Sequence, residues 1–146
     1  MTTLNAGAAR AALRVGVHAA TDVTGFGLLR HLGNVLAASG VAAEIAFDAL
    51  PLLPHALSLA ARGIVPGGTQ RNLEAAQEVD WADDLAPHER LLCVDAQTSG
   101  GLLLAVPAER EAALLVALGE EATPAAAVVG RVVDGPAGRI RVARRL

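Results

Sequence analysis

Apolar runs in this chain are all short, and polar, glycine-bearing segments cut them apart. The longest, near Leu102–Val106 and Ala112–Leu118, fall well short of the roughly 18 residues needed to span a bilayer. Three interruptions stand out: Thr21–Gly27, Gly67–Asn72 and Asp95–Gly101. Between them, helical and strand-like patterns alternate irregularly. The expected fold class is α+β, a mixed and largely antiparallel sheet with helices packed on it. With aromatics at only 2%, the core must be fine-grained and built from Leu, Val and Ala. That scarcity also argues against nucleic-acid modules that stack bases on rings.

The pattern places elements as follows. Asn5 is expected to cap a helix from Ala6 to about Arg14, ended by Gly16, with a strand over Val15–Ala20. Leu28, Leu29, Leu32, Val35 and Leu36 follow at helical spacing, with Thr24 as N-cap and Ser39-Gly40 as the end. Val41–Phe47 reads as a strand. A broken helical stretch runs from Asp48 to Arg62, and Val65–Thr69 reads as loop. Asn72–Val79 reads as a short helix, Trp81–Leu85 as exposed, and Pro87–Val94 as a helix with Pro87 near its first position. Leu102–Val106 reads as a buried strand and Pro107–Leu118 as an amphipathic helix. Ala125–Val133 and Arg139–Ala143 are expected to pair as a hairpin through Asp134–Gly138. Residues 1–146 read as one domain.

Charge and residue usage narrow the function. A net charge of -3 gives no reason to expect a nucleic-acid partner. All 12 basic residues are Arg. Without Lys there is no phosphate loop of the G-x-x-x-x-G-K-[ST] type, no Schiff-base lysine and no Ser-Lys dyad. The single cysteine, Cys93, excludes an internal disulfide and any cysteine-based metal cluster. With no signal-like pattern at Met1–Asn5, a cytoplasmic location without membrane attachment is expected.

Three segments carry the candidate chemistry. In Thr21–Gly27, Asp22 offers a hard oxygen of the kind Mg²⁺ prefers, and the turn at Gly25–Gly27 opens a helix whose free N–H groups suit a phosphate. The same spacing suits a plain capping turn. In Gly67–Asn72, paired glycines let backbone approach an anion and Arg71 can neutralise one; an ordinary loop has the same composition. In Asp95–Gly101, Gln97, Thr98 and Ser99 are donors beside two glycines, which also suits a helix-to-strand connection. His18 and His31 lack a ligand partner at i+4. Cys93 lies in an apolar run and reads as a buried, inert thiol.

Together the segments resemble a known family. His18–Leu28 is similar to the A-T-D-V-T-G-F-G-L signature of the selenophosphate synthetases (selenide, water dikinases). Pro66–Asn72 resembles that family's P-G-G-T-x-R-N segment, and Asp95–Leu102 its D-P-Q-T-S-G-G-L segment, in the same order. The resemblance is to the C-terminal half of such an enzyme, within the aminoimidazole-ribonucleotide-synthetase-like superfamily. It implies a share in ATP-dependent formation of selenophosphate from selenide and water, with AMP and phosphate as products. It implies Asp22 as a Mg²⁺ ligand, with Thr21, Thr24, Gly25 and Gly27 as the scaffold of the same Mg–ATP motif.

The resemblance also implies that the reactive Cys or selenocysteine, an essential Lys and most Mg–ATP ligands belong to an N-terminal half outside these residues. That half would be the partner in cis or trans, the complete enzyme a homodimer, and this chain alone inactive. No residue here is expected to be catalytic. Two positions depart from the pattern: Ala96 replaces a Pro, which should loosen its loop, and Arg30 stands where a Gly precedes His31. Rival readings are a related ATP-using enzyme domain of the superfamily and a non-catalytic interaction module keeping the fold. An apolar docking face is expected, with Asp22 at its rim and self-association of the isolated chain.

Overall fold

The computed structural model describes residues 3–146. Helix α1 (Ala6–Val15) leads through Gly16 into strand β1 (Ala19–Asp22). Helix α2 (Gly27–Ser39) ends at Gly40 and is followed by β2 (Ala42–Ala46) and a 3₁₀ turn at Phe47–Ala49. Then come α3 (Ala56–Ala61), α4 (Gly67–Glu74), β3 (Val79–Trp81) and α5 (Pro87–Cys93). β4 (Leu102–Ala105), a short 3₁₀ turn, α6 (Glu111–Glu120), β5 (Gly130–Val133) and β6 (Ile140–Ala143) complete the chain. The strands form an antiparallel ribbon, β1-β4, and a four-stranded sheet ordered β3-β6-β2-β5. In that sheet β2 runs antiparallel to β5 and parallel to β6, and β3 runs parallel to β6. The α+β, mixed-sheet expectation holds, with two antiparallel pairings and two parallel ones. Among the described residues no helix is long and apolar enough to cross a membrane.

Two apolar clusters hold these elements. The larger joins Leu29, Leu32 and Leu36 of α2 to Ala43 and Ile45 of β2, Ile140 and Val142 of β6, and Cys93 and Val94 at the end of α5. The smaller joins Ala11 of α1 to Leu114, Ala117 and Leu118 of α6. Strand β4 lies between them. Leu103 packs on the large cluster, whereas Leu104 and Val106 pack on the small one. Alternate side chains of a strand point to opposite faces, so an unbroken apolar run serves two cores at once.

The expected hairpin does not form. β5 and β6 run in opposite directions, as a hairpin requires, but β2 lies between them. The connection between Val133 and Ile140 crosses the start of β2, where Gly138 N–H donates to Val41 O at 2.9 Å and Ala43 N–H donates to Arg139 O at 3.0 Å. Such a connection is long enough to straddle a third strand, a gap of about 10 Å, and local composition does not distinguish this from a tight turn.

Other differences are smaller. Helix α1 continues to Val15, and the strand after it starts at Ala19 and carries Thr21 and Asp22. Gly67, Gly68 and Thr69, read as loop, form the first turn of α4, and Val79, read as the end of a helix, opens β3. Trp81 is half-buried and Leu85 is buried. Helix α6 is apolar almost all round, and Val116 is left 63% exposed.

Charge pairs lie across the sheet and between the helices. Glu44 of β2 sits between Arg131 of β5 at 2.6 Å and Arg141 of β6 at 3.1 Å, and these guanidinium groups hold its carboxyl below the ordinary range. Arg139 does the same to Asp80. Arg10 bonds Glu121 and Arg14 bonds Glu120, at 2.6 and 2.7 Å, fastening α1 to α6. Glu89 is the one buried carboxylate among the described residues. It accepts from Arg144 Nη2 at 2.9 Å and from Ala86 N–H at 2.8 Å, and Arg144 chiefly holds its carboxyl below the ordinary 4.5.

A carboxylate whose folded-state pKa is depressed contributes stability above its unfolded value, and loses it as pH falls through the folded one. Glu89→Gln is therefore expected to cost about 1–3 kcal/mol at pH 7. The gap to the parent chain should close progressively below pH 4.5. Urea denaturation at pH 7 and at pH 3 measures both, and equal stabilities at pH 7 would show that this pair stabilises nothing.

Candidate functional site

The three polar segments that interrupt the sequence meet in space. Val23 N–H donates to Gly101 O at 3.0 Å, and Gly100 N–H donates back to Val23 O at 2.9 Å. These reciprocal bonds extend the β1-β4 ribbon past Asp22 and join the first segment to the third. Gln97 N–H donates to Thr24 O at 3.3 Å. The second segment is tied in by side chains of α4. Asn72 Nδ2 reaches both Gly25 O and Val94 O at 3.0 Å. Thr69 is fully buried; its hydroxyl donates to Asp95 Oδ1 at 2.9 Å and accepts from Ala96 N–H at 3.1 Å. Ala96, expected to loosen this loop, thus supplies a donor that a proline lacks.

Two glycines permit this closeness. Gly27 has φ +75, and a Cβ there would lie 2.5 Å from the carbonyl of Val94. A Cβ on Gly100 would lie 2.5 Å from Val23 O. At each, backbone packs directly on backbone, and no side chain fits.

The result is a rigid turn with Asp22 at its edge. Asp22 is the last residue of β1 and is exposed, opposite Leu102 of β4. Thr21 is half-buried beside it. Thr24 does not cap α2, whose N-cap position is Phe26. Instead its carbonyl accepts from Gly27 N–H at 2.9 Å, while its N–H donates to His31 Nε2 at 3.2 Å and its hydroxyl lies 3.1 Å from the same nitrogen. His31 thus supports the turn from α2. Gly25 is exposed, and Phe26 is 65% exposed. Arg30 points to solvent, as does Arg71 of α4. Cys93 is buried in the large core, and desolvation pushes its thiol up to about 12, which makes it inert as a nucleophile at neutral pH.

Among the described residues no three His, Cys, Asp or Glu side chains gather to hold a metal ion. Mg²⁺ is usually held by one or two carboxylates together with substrate phosphates. The donor set here, one exposed carboxylate on a rigid strand end, fits a share of such a site and not a complete one.

The family described as AIR synthase related protein, C-terminal domain, matches residues 1–143. The chain belongs to this family. The chain is 50% identical over 103 residues to a selenide, water dikinase of Shewanella baltica (strain OS185), covering 70% of this chain and 29% of that protein. To the selenide, water dikinase of Shewanella sp. (strain W3-18-1) it is 47% identical over 118 residues, covering 81% and 33%. The chain thus spans about a third of the length of the curated relatives it matches.

Among solved structures, thiamine-monophosphate kinase from Stenotrophomonas maltophilia K279a superposes with a TM-score of 0.55 at 25% identity, over 91% of this chain and 33% of that one. T. maritima PurL complexed with FGAR gives 0.56 at 18% identity, over 97% and 18%, a likeness of fold alone.

Sequence reasoning found the three segments but not the residues that bind them together. Thr69 and Asn72 were legible only as members of a glycine-rich stretch; their placement on α4, with Thr69 buried and Asn72 half-buried, gives them their role. Thr69→Val keeps the shape and removes the hydroxyl, leaving Ala96 N–H and Asp95 without their partner. It is expected to cost about 1–3 kcal/mol, with Thr69→Ser retaining most of the stability. Gly27→Ala is expected to cost about 2 kcal/mol or more from backbone overlap and a left-handed φ. Chemical denaturation of the three variants tests this, and a Thr69→Val chain as stable as the parent would show that the knot does not hold the segments.

Proposed function

We propose that this domain serves as the C-terminal part of a selenophosphate synthetase, presenting Asp22 as one Mg²⁺ ligand toward bound ATP. The observation that carries the reading is the convergence of the three family-like segments on a single hydrogen-bonded turn that ends in that exposed carboxylate. Identity of about half to selenide, water dikinases supports the choice of reaction. The likeness to thiamine-monophosphate kinase favours a second reading, a related ATP-using enzyme of the same fold, at lower identity.

When bound, Mg²⁺ would neutralise the triphosphate and orient it for attack at phosphorus. The chain's part is to hold a carboxylate still. Asp22 contributes the negative oxygen. The Val23–Gly100 and Val23–Gly101 bonds fix the backbone that carries it, and His31 fixes Thr24 two residues on. The remaining ligands, the nucleophile and the base belong in this reading to an N-terminal half, joined in cis or supplied in trans. Phe26 at 65% exposure and Leu4 at 81% flank the knot as apolar surface for that half to cover. The complete enzyme would be a homodimer.

In the full-length protein, Asp22→Asn is expected to lower selenide-dependent AMP formation about 100-fold or more while leaving the fold intact, since Asn keeps the shape and removes the charge. Turnover like that of the parent enzyme would overturn the assignment. Calorimetric titration of Mg–ATP into the present chain alone should yield no micromolar site, because one carboxylate gives the ion too few ligands; a micromolar site would place the nucleotide machinery in this domain.

A further inference from the structure

Asn5 occupies the position before α1 where an asparagine side chain ordinarily accepts a hydrogen bond from the helix's first turn. It makes no such bond. Its Nδ2 donates instead to Gly100 O at 3.1 Å, across 95 residues of sequence. Losing a side-chain cap costs a helix about 1 kcal/mol. A local rule broken in this way is most often found at a functional position, and here the contact lies at the centre of the polar knot. Gly100 is the residue whose N–H donates to Val23 O, and Val23 directly follows Asp22. Two hydrogen bonds in series, Asn5 to Gly100 and Gly100 to Val23, therefore link Asn5 to the backbone that carries Asp22.

The rest of α1 is held elsewhere. Arg10 and Arg14 pair with Glu121 and Glu120 of α6, and Ala11 is fully buried in the smaller core. The contact of Asn5 with Gly100 is therefore not needed to dock the helix. What it adds is a fixed point where the chain enters the domain, set against the loop that supports Asp22.

We infer that Asn5 is a positioning residue, registering the polypeptide that enters this domain against the turn carrying Asp22. The inference rests on the function proposed above, since it gives that entry point a role in the shared site. In a protein of the relatives' length, a preceding domain would be tethered beside Gly100. Its ligands for ATP and those of this domain would then share one backbone reference.

Two variants separate positioning from helix capping in the full-length protein. Asn5→Ala removes the donor. Asn5→Asp keeps a good cap but sets a carboxylate against the Gly100 carbonyl. Positioning predicts that both act alike. Hydrogen exchange in peptides covering residues 21–27 and 95–102 should quicken about tenfold, with exchange in β2 and β6 unchanged. The kcat for selenide-dependent AMP formation should fall about tenfold, with KM for selenide within twofold of the parent value. Asn5→Asp with parental exchange and kcat overturns the inference and leaves Asn5 as a helix cap. Faster exchange with unchanged kcat also overturns it, by making the contact purely structural. Asp22→Asn assayed alongside keeps the two readings apart: if that variant is fully active, the proposed function fails, and the exchange measurement still decides whether Asn5 holds the turn.

Discussion

Where the three polar segments meet, backbone lies directly on backbone with no room for a side chain: Gly27 against the Val94 carbonyl and Gly100 against the Val23 carbonyl. The remaining architecture is arranged around these approaches. They bring the start of α2, the end of α5 and the head of β4 to one point, although the segments are about 70 residues apart in sequence. From that point α2 and α5 carry Leu29, Leu36, Cys93 and Val94 into the larger core, while β4 carries Leu104 to the smaller one. Asp22 ends the strand paired with β4, and β4 is the strand that touches both cores.

The knot is polar, and polar groups out of water must be paired. Thr69, Asn72, Asn5 and His31 each meet a backbone or side-chain partner in it. Among the described residues no buried side-chain nitrogen or oxygen lacks a partner. A fully satisfied network of this kind specifies one arrangement, because any slip leaves several groups unpaired at once. Asp22, at the edge of the network, faces solvent. Rigid support and an open carboxylate therefore come from the same few residues.

Legibility in the sequence followed the range of the interactions. Helices α1, α2 and α5 and strand β2 were visible because glycine, proline and apolar spacing punctuate them locally. The first turn of α4 was not, because two adjacent glycines disfavour a helix by propensity; Thr69, buried beneath the third segment, overrides that preference. The false hairpin has the same origin, since β5 and β6 each satisfy the local rules and the strand between them lies about 90 residues earlier in the chain. The site followed suit. Each polar segment could be marked one by one, and Asp22 with them, but the contacts that gather them are all long-range. Asn5, read as a helix cap, spends its side-chain amide on one of those contacts, and Thr24, read as another, turns its hydroxyl to His31 instead.

The position of β2 also bears on the order in which the sheet can be made. Glu44 lies 87 residues before Arg131 and 97 before Arg141, its two cross-strand partners. Both backbone edges of β2 therefore stay open through most of the chain's synthesis. Because β2 separates β5 from β6, those strands gain no neighbour by closing on each other locally. Sheets that depend on such distant pairings form slowly, and unpaired edges are exposed to other chains in the meantime. In this fold α2, which lies just before β2 and packs on its apolar face, is the element placed to shield that strand until the C-terminal pair arrives.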